Sequence, residues 1–401
     1  MATYKEQNKL NVPHLRFPEF EGEWEKCKLG DIATGFDYGM NAPAKVFDGV
    51  NKYIRITDID EASSTYNDSD IVSPDGTLTD TYLVNERDIL LARTGASTGK
   101  SYLYKKTDGK LYFAGFLIRA NVPEHNPYFV FSQLHTHRYW KWVSIMSARS
   151  GQPGINSQEY SSFPIYTTSI QEERKISKLL SLLEERIATQ SKLIEDLKKL
   201  KSAIIDYAIN SHDTDFVKFG SLYEMAGEGG TPTTSNASFY DNGKIPFIKI
   251  DDLKKKYLTK NKDFITELGL QKSSAWLVPT RSILFSNGAT IGEITITTYP
   301  VCTKQGILGI VPKPNIDVEF LYYFMSSSYF KKAVSRIVTE GTMKTVYLKD
   351  INNIRCPIPT KEKQLDIAKM PSALNSKIDF EQSILKLFGS QKQYLLRQMF
   401  M

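Results

Sequence analysis

Apolar residues recur at heptad spacing in one stretch of the chain, from Ile176 to Tyr207, which contains neither proline nor glycine. This spacing predicts a coiled-coil helix roughly 50 Å long. Its seams comprise Ile176, Leu183, Gln190, Leu197 and Ile204 on one line, and Leu179, Arg186, Leu193, Leu200 and Tyr207 on the other. A helix of this kind needs a partner to cover its apolar seam.

The same heptad frame recurs 191 residues later. Its seams there comprise Ile367, Leu374, Glu381, Phe388 and Leu395, and Met370, Lys377, Ile384, Gln391 and Gln398. Polar breaks recur as well, with Gln190 matching Glu381 and Arg186 matching Lys377. We therefore predict that the two helices pair antiparallel within the chain; a shared binding surface is the alternative. Pro371 is predicted to start or kink the second helix.

The rest of the chain repeats too, at offsets of 190 to 194 residues. The matching segments are Lys28–Asp31 with Lys218–Ser221, Tyr53–Ile59 with Phe247–Leu253, Asp88–Ala96 with Arg281–Ala289, and Pro164–Ile165 with Pro357–Ile358. Their order is kept, and the period is far longer than the 20 to 50 residues of solenoid repeats. The pattern indicates a duplicated domain.

Each copy is predicted to contain strands followed by a helix. The strands are Tyr53–Ile59, Ile89–Ala92, Ile283–Phe285 and Ile294–Thr297, and the helices are Tyr128–Met146 and Val318–Val338. The predicted class is α+β: two similar mixed α/β domains separated by two long antiparallel coiled-coil helices. The predicted boundaries are an N-terminal segment (1–22), a first domain (23–168), a central helix (169–212), a second domain (213–359) and a C-terminal helix (360–401).

Composition narrows the function classes. Hydrophobic residues make up 41% and charged residues 24% of the 401 residues, as in folded globular proteins. No apolar run reaches the ~18 residues of a membrane helix, and the N-terminus lacks a signal core. We therefore expect a cytoplasmic protein with no membrane partner. Three scattered cysteines predict neither a disulfide framework nor a zinc site. The net charge of +6 permits a nucleic-acid partner.

Catalytic motifs are incomplete. Gly95–Gly99 followed by Lys100 resembles a phosphate-binding loop, but three residues separate the glycines where that motif needs four. In the second copy Glu293 stands where Lys100 does, and a carboxylate would repel phosphate. His135 and His137 diverge on a helix, which disfavours a shared metal. The expectation is a non-catalytic chain without catalytic, cofactor-binding or metal-binding residues.

Three loops rich in glycine and polar side chains recur in both copies: loop 1 (35–41 and 227–236), loop 2 (93–100 and 286–290) and loop 3 (149–156 and 340–345). Their side chains are of the types that contact bases and phosphates, although ordinary turns are the alternative for any single loop. The predicted DNA-binding residues are Arg93, Thr94, Ser97, Lys100, Arg149, Gln152, Asn156, Thr231, Thr233, Ser235, Asn236, Ser286, Asn287, Thr342 and Lys344.

Several of these segments resemble a known family. The opening Pro13–Trp24 followed by Lys28–Asp31, the Gly-Gly-Thr-Pro of residues 229–232, the segment 150–156, and the ending Leu395–Phe400 look like specificity subunits of bacterial type I restriction-modification systems. The first copy differs in lacking Gly-Thr-Pro in loop 1. The resemblance covers nearly the whole chain, including the order of domain, helix, domain and helix.

This resemblance implies two target-recognition domains, each reading one half of a bipartite site in double-stranded DNA. It implies partners: modification subunits, two in number, that carry S-adenosylmethionine and methylate adenine, and restriction subunits that use ATP and magnesium. The chain itself is expected to bind no cofactor. Two alternatives stay open: a stand-alone DNA-binding or scaffold protein without a methylating partner, and an enzyme that uses the incomplete phosphate loop.

Overall fold

A computed structural model describes residues 11–148, 153–210, 216–338 and 344–401. The chain divides into two compact units. The first unit contains residues 1–190 and 384–401, and the second contains residues 191–383. Each unit therefore combines one loop-bearing domain with parts of both long helices. The domain boundaries stated above remain a prediction.

The first unit begins with short strands and ends with a long helix. Its strands are β1 (Glu25–Lys28), β2 (Thr34–Tyr38), β3 (Ala44–Val46), β4 (Lys52–Ile54), β5 (Val72–Pro74), β6 (Asp88–Ala92), β7 (Ser101–Leu103), β8 (Leu111–Phe113), β9 (Leu117–Asn121) and β10 (Pro164–Thr167). Its helices are α1 (Leu29–Ile32), α2 (Pro127–Gln133), α3 (His137–Ser147), α4 (Ser157–Ser161) and α5 (Ile170–Asn210), the last of which continues into the second unit.

A four-stranded antiparallel sheet, in the order β2-β9-β6-β7, forms the centre of the first domain. Strand β6 is buried along its whole length, because α2 and α3 cover one face while a parallel β4–β8 pair covers the other. Continuous burial explains why residues 89–92 form an apolar run rather than an alternating pattern. Residues 35–38, predicted as part of loop 1, belong to strand β2 because they pair with β9, whereas loop 2 follows strand β6.

The second unit repeats this plan. Its strands are β11 (Phe216–Lys218), β12 (Tyr223–Glu228), β13 (Ile245–Ile248), β14 (Tyr257–Leu258), β15 (Asp263–Ile265), β16 (Ile283–Ser286), β17 (Ile294–Thr297), β18 (Cys302–Thr303), β19 (Ile307–Pro312) and β20 (Arg355–Pro357). Its helices are α6 (Glu267–Gln271), α7 (Val318–Ser326), α8 (Ser328–Arg336), α9 (Leu348–Ile351) and α10 (Lys361–Met399), the last of which ends in the first unit.

Its main sheet has the order β12-β19-β16-β17-β14, so β12, β19, β16 and β17 occupy the places of β2, β9, β6 and β7. A parallel β13–β18 pair matches the parallel β4–β8 pair. The predicted α+β class and the internal duplication are confirmed by this correspondence and by the relatives described below.

Three predicted elements had wrong bounds. The strand predicted over Tyr53–Ile59 ends at Ile54, because a 3-10 turn follows whose Asp58 carboxylate accepts the Arg55 backbone N–H at 2.8 Å. The helix predicted over Tyr128–Met146 is two helices, since Thr136 caps α3 by accepting the Tyr139 N–H. The second copy breaks in the same way, with Ser327 capping α8.

The two long helices run antiparallel where they meet in the first unit. Glu184 of α5 forms an ion pair with Lys392 of α10, and two residues further along α5 the Arg186 guanidinium lies over the Phe388 ring. The residue number of the α10 partner therefore falls as the residue number along α5 rises, which is the pattern of an antiparallel pair. In the second unit Lys201 of α5 donates to Asn375 of α10 at 3.0 Å. The predicted antiparallel coiled coil is confirmed.

One of the two predicted seams is wrong by one residue. Leu193, Leu200 and Tyr207 are 40%, 47% and 76% exposed. Leu180 and Ile194 are buried instead, so the second seam passes through positions 180, 187, 194, 201 and 208. The equivalent positions of α10, 191 residues later, are Pro371, Ile378, Leu385, Lys392 and Met399. Arg186 and Lys377 are exposed and lie outside the seam.

Pro371 neither starts α10 nor interrupts it in this structure. The helix begins at Lys361 and continues through the buried proline. Proline has no N–H to donate, so the carbonyl group one turn earlier, on Ile367, lacks that helical partner.

Candidate nucleic-acid interface

Three loops converge at one end of the main sheet in the first unit. The Gly39 N–H of loop 1 donates to the Leu117 carbonyl at 3.2 Å, and the Arg93 N–H of loop 2 donates to the neighbouring Phe116 carbonyl at 3.0 Å. The Ile155 N–H of loop 3 then donates to the Arg93 carbonyl at 2.9 Å. Loops far apart in sequence thus form one surface.

The second unit builds the same arrangement with the same bonds. Gly229 donates to Ile307 at 2.9 Å, Asn287 donates to Gly306 at 3.0 Å, and Val346 donates to Asn287 at 2.8 Å. Asn287 is therefore the structural counterpart of Arg93. The sequence match of this segment, which paired Arg93 with Ser286, is wrong by one residue.

Loop 1 approaches the sheet too closely for a side chain in either unit. A Cβ atom on Gly39 would lie 2.3 Å from the Ala114 carbonyl oxygen, and one on Gly229 would lie 2.2 Å from that of Thr303. Any larger residue would displace the loop. The two copies of loop 1 are thus equivalent in structure, although only the second contains Gly-Thr-Pro.

The side chains of Arg93 and Tyr38 connect loops 1 and 2 of the first unit to the start of α4, which follows loop 3. The Arg93 guanidinium lies 4.7 Å from the centre of the Tyr38 ring. The Tyr38 hydroxyl accepts the Ser157 backbone N–H at 3.2 Å and lies 3.3 Å from the Ser157 hydroxyl. The hydrogen bond to the Ser157 side chain is the main cause that lowers the pKa of Tyr38. Arg93 is thereby held at the surface in a fixed orientation.

Tyr38 belongs to this site but is not among the residues predicted from the sequence to bind DNA. The available signal was an aromatic residue between two glycines. Tyr38 ends strand β2, and its side chain is 41% exposed beside the Arg93 guanidinium. It can therefore contact a ligand together with Arg93.

Lys100 forms an ion pair with Glu61 at 3.3 Å, and its side chain is only 19% exposed. The adjacent backbone N–H groups are also occupied. Those of Gly95, Thr98, Gly99 and Lys100 donate to the carbonyl groups of Pro153, Gly95, Ala92 and Ser97. A phosphate-binding loop requires such groups to point at the ligand. The geometry thus gives no support to a nucleotide site in this loop.

The other predicted residues of the first unit shape the loops. Thr94 bridges to Gly154 and so joins loop 2 to loop 3. Ser97 is half-buried in a 3-10 turn over Gly95–Ser97. Asn156 is exposed and caps α4 by accepting the Glu159 N–H at 2.9 Å. Arg149 and Gln152 lie outside the described residues.

In the second unit, Ser286 and Asn287 are buried. The Ser286 hydroxyl donates to the Thr290 carbonyl at 2.5 Å, and the Asn287 amide donates to the Val346 carbonyl at 3.1 Å. These side chains fix the shape of loop 2 from inside. The exposed positions of this loop are Ala289 and Thr290 instead.

The three loops of the second unit line a cleft of about 600 Å³. Thr231 of loop 1 lines it and accepts the Gln305 N–H at 3.3 Å, while Thr345 represents loop 3. Thr233, Ser235 and Asn236 are exposed beside it, and Asn236 accepts the Ser238 N–H at 3.1 Å. Lys344 is exposed, and Thr342 lies outside the described residues. DNA contact by these residues stays a prediction.

Neither a metal-binding cluster nor a membrane-spanning helix is found in the described part of the chain. Its histidine, cysteine and acidic residues form no cluster of three or more that could hold a metal ion. The described helices include none that is long and apolar enough to span a membrane. Each unit presents a polar loop surface, and equivalent backbone hydrogen bonds build this surface in both units. Such an arrangement is that of a duplicated recognition protein with two similar binding surfaces.

Comparison with known proteins identifies the family to which this chain belongs. The chain belongs to the family of the type I restriction modification DNA specificity domain, whose model matches residues 21–199 and 212–387. The family resemblance recognised in the sequence is therefore confirmed, whereas the stand-alone alternative gains no support.

One relative matches over nearly the whole chain and another over about half of it. The specificity subunit of the type I restriction enzyme MjaVIII from Methanocaldococcus jannaschii is 24% identical over 95% of this chain and 92% of its own. That of EcoR124I/EcoR124II from Escherichia coli is 23% identical over 48% of this chain and 50% of its own. The crystal structure of the type I S subunit from M. genitalium has a TM-score of 0.60 at 17% identity, covering 97% of this chain and 99% of the other.

Proposed function

We propose that each unit reads one half of a bipartite DNA target and that the chain directs partner subunits to methylate adenine or cleave DNA there. One observation carries this proposal: the same three-loop surface is built twice, by equivalent backbone bonds to Leu117 and Ile307. Because the side chains on the two surfaces differ, with Arg93 matched by the buried Asn287, the two half-sites differ in sequence.

Methylome sequencing tests the function. Cells that carry the chain with its partner subunits should methylate adenine in a motif with two specified halves and an unspecified spacer. Deleting only the gene for this chain should remove that motif. A methylation pattern unchanged by the deletion would contradict the proposal.

The outer face of α5 supports docking of the modification subunits, of which we propose two. Leu193, Leu200 and Tyr207 form an exposed heptad line that α10 leaves uncovered. Exposed apolar lines of this kind mark protein contacts. Changing all three to serine should abolish co-purification of the modification subunit while leaving the melting temperature of the chain nearly unchanged. The control exchanges the exposed polar residues Lys192, Lys198 and Ser202 for alanine and should retain the partner.

We assign adenine methylation and DNA cleavage to the partner subunits, which would bind S-adenosylmethionine, ATP and magnesium. We propose that the complex acts in the cytoplasm. The backbone N–H groups of Gly95, Thr98, Gly99 and Lys100, which already donate to carbonyl groups of the chain, support this assignment for ATP. The purified chain should methylate no DNA with S-adenosylmethionine and cut none with ATP and magnesium. Turnover that co-elutes with the chain and survives repeated purification would contradict it.

A further inference from the structure

A ridge of lysines borders the reading face of the second unit. Lys249, Lys254, Lys255, Lys260 and Lys262 are all exposed and surround a cavity of about 690 Å³ formed by residues 249–263. We call these five residues the lysine ridge. They lie in none of the glycine-rich loops, so no sequence motif marks them.

The lysine ridge is continuous with the three-loop cleft. Lys249 and Asp251 line both the ridge cavity and the cleft that Thr231, Gly288 and Thr345 line. Lys304 adds a further cation on the cleft side. A DNA duplex bound by the loops would thus have its backbone next to the ridge.

Three of the five ridge lysines have no ion-pair partner among the described residues, and the carboxylates of Asp251, Asp252 and Asp263 line the same cavity. Lys249 pairs with Asp263 at 2.8 Å and Lys254 pairs with Asp251 at 2.9 Å, at exposed positions where such pairs contribute little. Lys255, Lys260 and Lys262 form no ion pair with the described residues. Three cations are therefore available to a polyanion.

The matching segment of the first unit has the opposite charge. Between Arg55 and Asp70 it carries five acidic residues, Asp58, Asp60, Glu61, Asp68 and Asp70, and no lysine. Its arginine is already engaged, since Arg55 donates to both oxygens of Asp58 at 2.8 Å. This segment would repel a phosphate backbone where the lysine ridge would attract one.

We propose that Lys255, Lys260 and Lys262 bind backbone phosphates of duplex DNA flanking the second half-site, and that the first unit has no equivalent contact. The inference rests on the proposed function. The chain would hold DNA asymmetrically, with sequence-independent affinity concentrated in the second unit. Backbone contacts of this type strengthen binding to every sequence without changing which bases are read.

The test replaces Lys255, Lys260 and Lys262 with alanine in the full-length chain. A matched control replaces Lys313, Lys332 and Lys363, which are exposed in the same unit, form no ion pair with the described residues and line neither cavity. Both variants lose three positive charges, so their difference reports position rather than net charge. Thermal melting confirms that each variant is folded.

Affinity for duplex DNA is measured between about 50 and 300 mM salt. Each phosphate contact contributes about 0.9 to the slope of log K against log salt, so the ridge variant should lose a slope of about 2.7. The control should lose well under one. Trimming the duplex just outside the second half-site should weaken the wild type but not the ridge variant, and the methylated motif should be the same for both.

Equal slopes for the ridge and control variants would overturn the inference. So would a ridge variant that binds DNA normally but loses its modification subunit, because the ridge would then be a protein contact. If the wild type itself failed to discriminate target from non-target DNA, the proposed function would fail, and the two failures are thereby distinguishable.

Discussion

The ammonium group of Lys100 lies 3.3 Å from the carboxylate of Glu61, which is itself 87% exposed. The pair joins loop 2 of the first unit to the acidic segment that follows β4. If Lys100 contacts DNA as the sequence predicts, we expect Glu61 to compete with phosphate for it and so to lower the affinity of the first unit.

We predict that Glu61→Gln strengthens binding to all DNA sequences several-fold at about 0.1 M salt. The change removes a competing anion and frees Lys100 for a phosphate. The effect should shrink in a Lys100→Ala background, as a double-mutant cycle in a salt-controlled binding assay would measure. Asp68→Asn, which removes an exposed charge from the same segment, is the control. Equal effects of the two changes, or independence from Lys100, would exclude the competition.

We predict that the contact between Arg93 and Tyr38 contributes to base recognition in the first half-site only. Arg93→Lys keeps the charge but loses the planar donor, so it should reduce discrimination at one base position by about 1–3 kcal/mol while keeping sequence-independent affinity. Tyr38→Ala should resemble it, whereas Tyr38→Phe keeps the ring and should be milder. Affinities for a panel of single-base variants measure this. Loss spread over both half-sites would contradict it.

An equivalent hydrogen bond occurs in both units, but the charged residue is the acceptor in the first unit and the donor in the second. The Asn126 N–H donates to Glu173 at 2.8 Å in the first unit, and the Asp317 N–H donates to Gln364 at 2.8 Å in the second. Each pair thus contains one carboxylate. Asn126 and Asp317 both cap a helix through a side-chain oxygen, which either residue type can supply.

Asn126→Asp should therefore destabilise the chain by about 1–3 kcal/mol, because it places a second carboxylate beside the buried Glu173 while preserving the cap. Adding Glu173→Gln, which recreates the pairing of the second unit, should recover part of the loss. Gln364→Glu and Asp317→Asn form the mirror-image set. The free energy of unfolding of the single and double variants, measured with a chemical denaturant, gives both double-mutant cycles. If the two single changes added in both cycles, the charges would not interact.

His125 should make stability depend on pH. Its Nδ1 lies 2.8 Å from the Glu173 carboxylate, and this hydrogen bond is the main cause that raises the pKa of His125 above 6.5. The stabilisation is complete below pH 6.5 and is lost as the pH rises through the raised value of the folded state. His125→Gln should thus narrow the stability difference between pH 6 and pH 9. Unfolding midpoints that shift equally at both pH values would contradict this.

The duplication, the antiparallel helices and the loop pairs could be predicted because they depend on patterns repeated along the sequence. The seam error arose because Leu193, Leu200 and Tyr207 fit the heptad as well as the true line, which contains polar Lys201 and Lys392. Nothing in the sequence marked Ser286 and Asn287 as buried, since polar side chains that bond to their own loop look like exposed donors. The lysine ridge lies outside any motif and needed the fold to place it beside the loops.

The central claim is that each unit reads one half-site, and the duplication supplies its own test. Residues 23–168 are replaced by a second copy of residues 213–359, and the methylated motif is determined by long-read sequencing of cells that contain the modification subunits. The account predicts that the first half of the wild-type motif disappears and that the second half occurs twice. A motif that kept the wild-type first half, in a protein still folded and active, would contradict it.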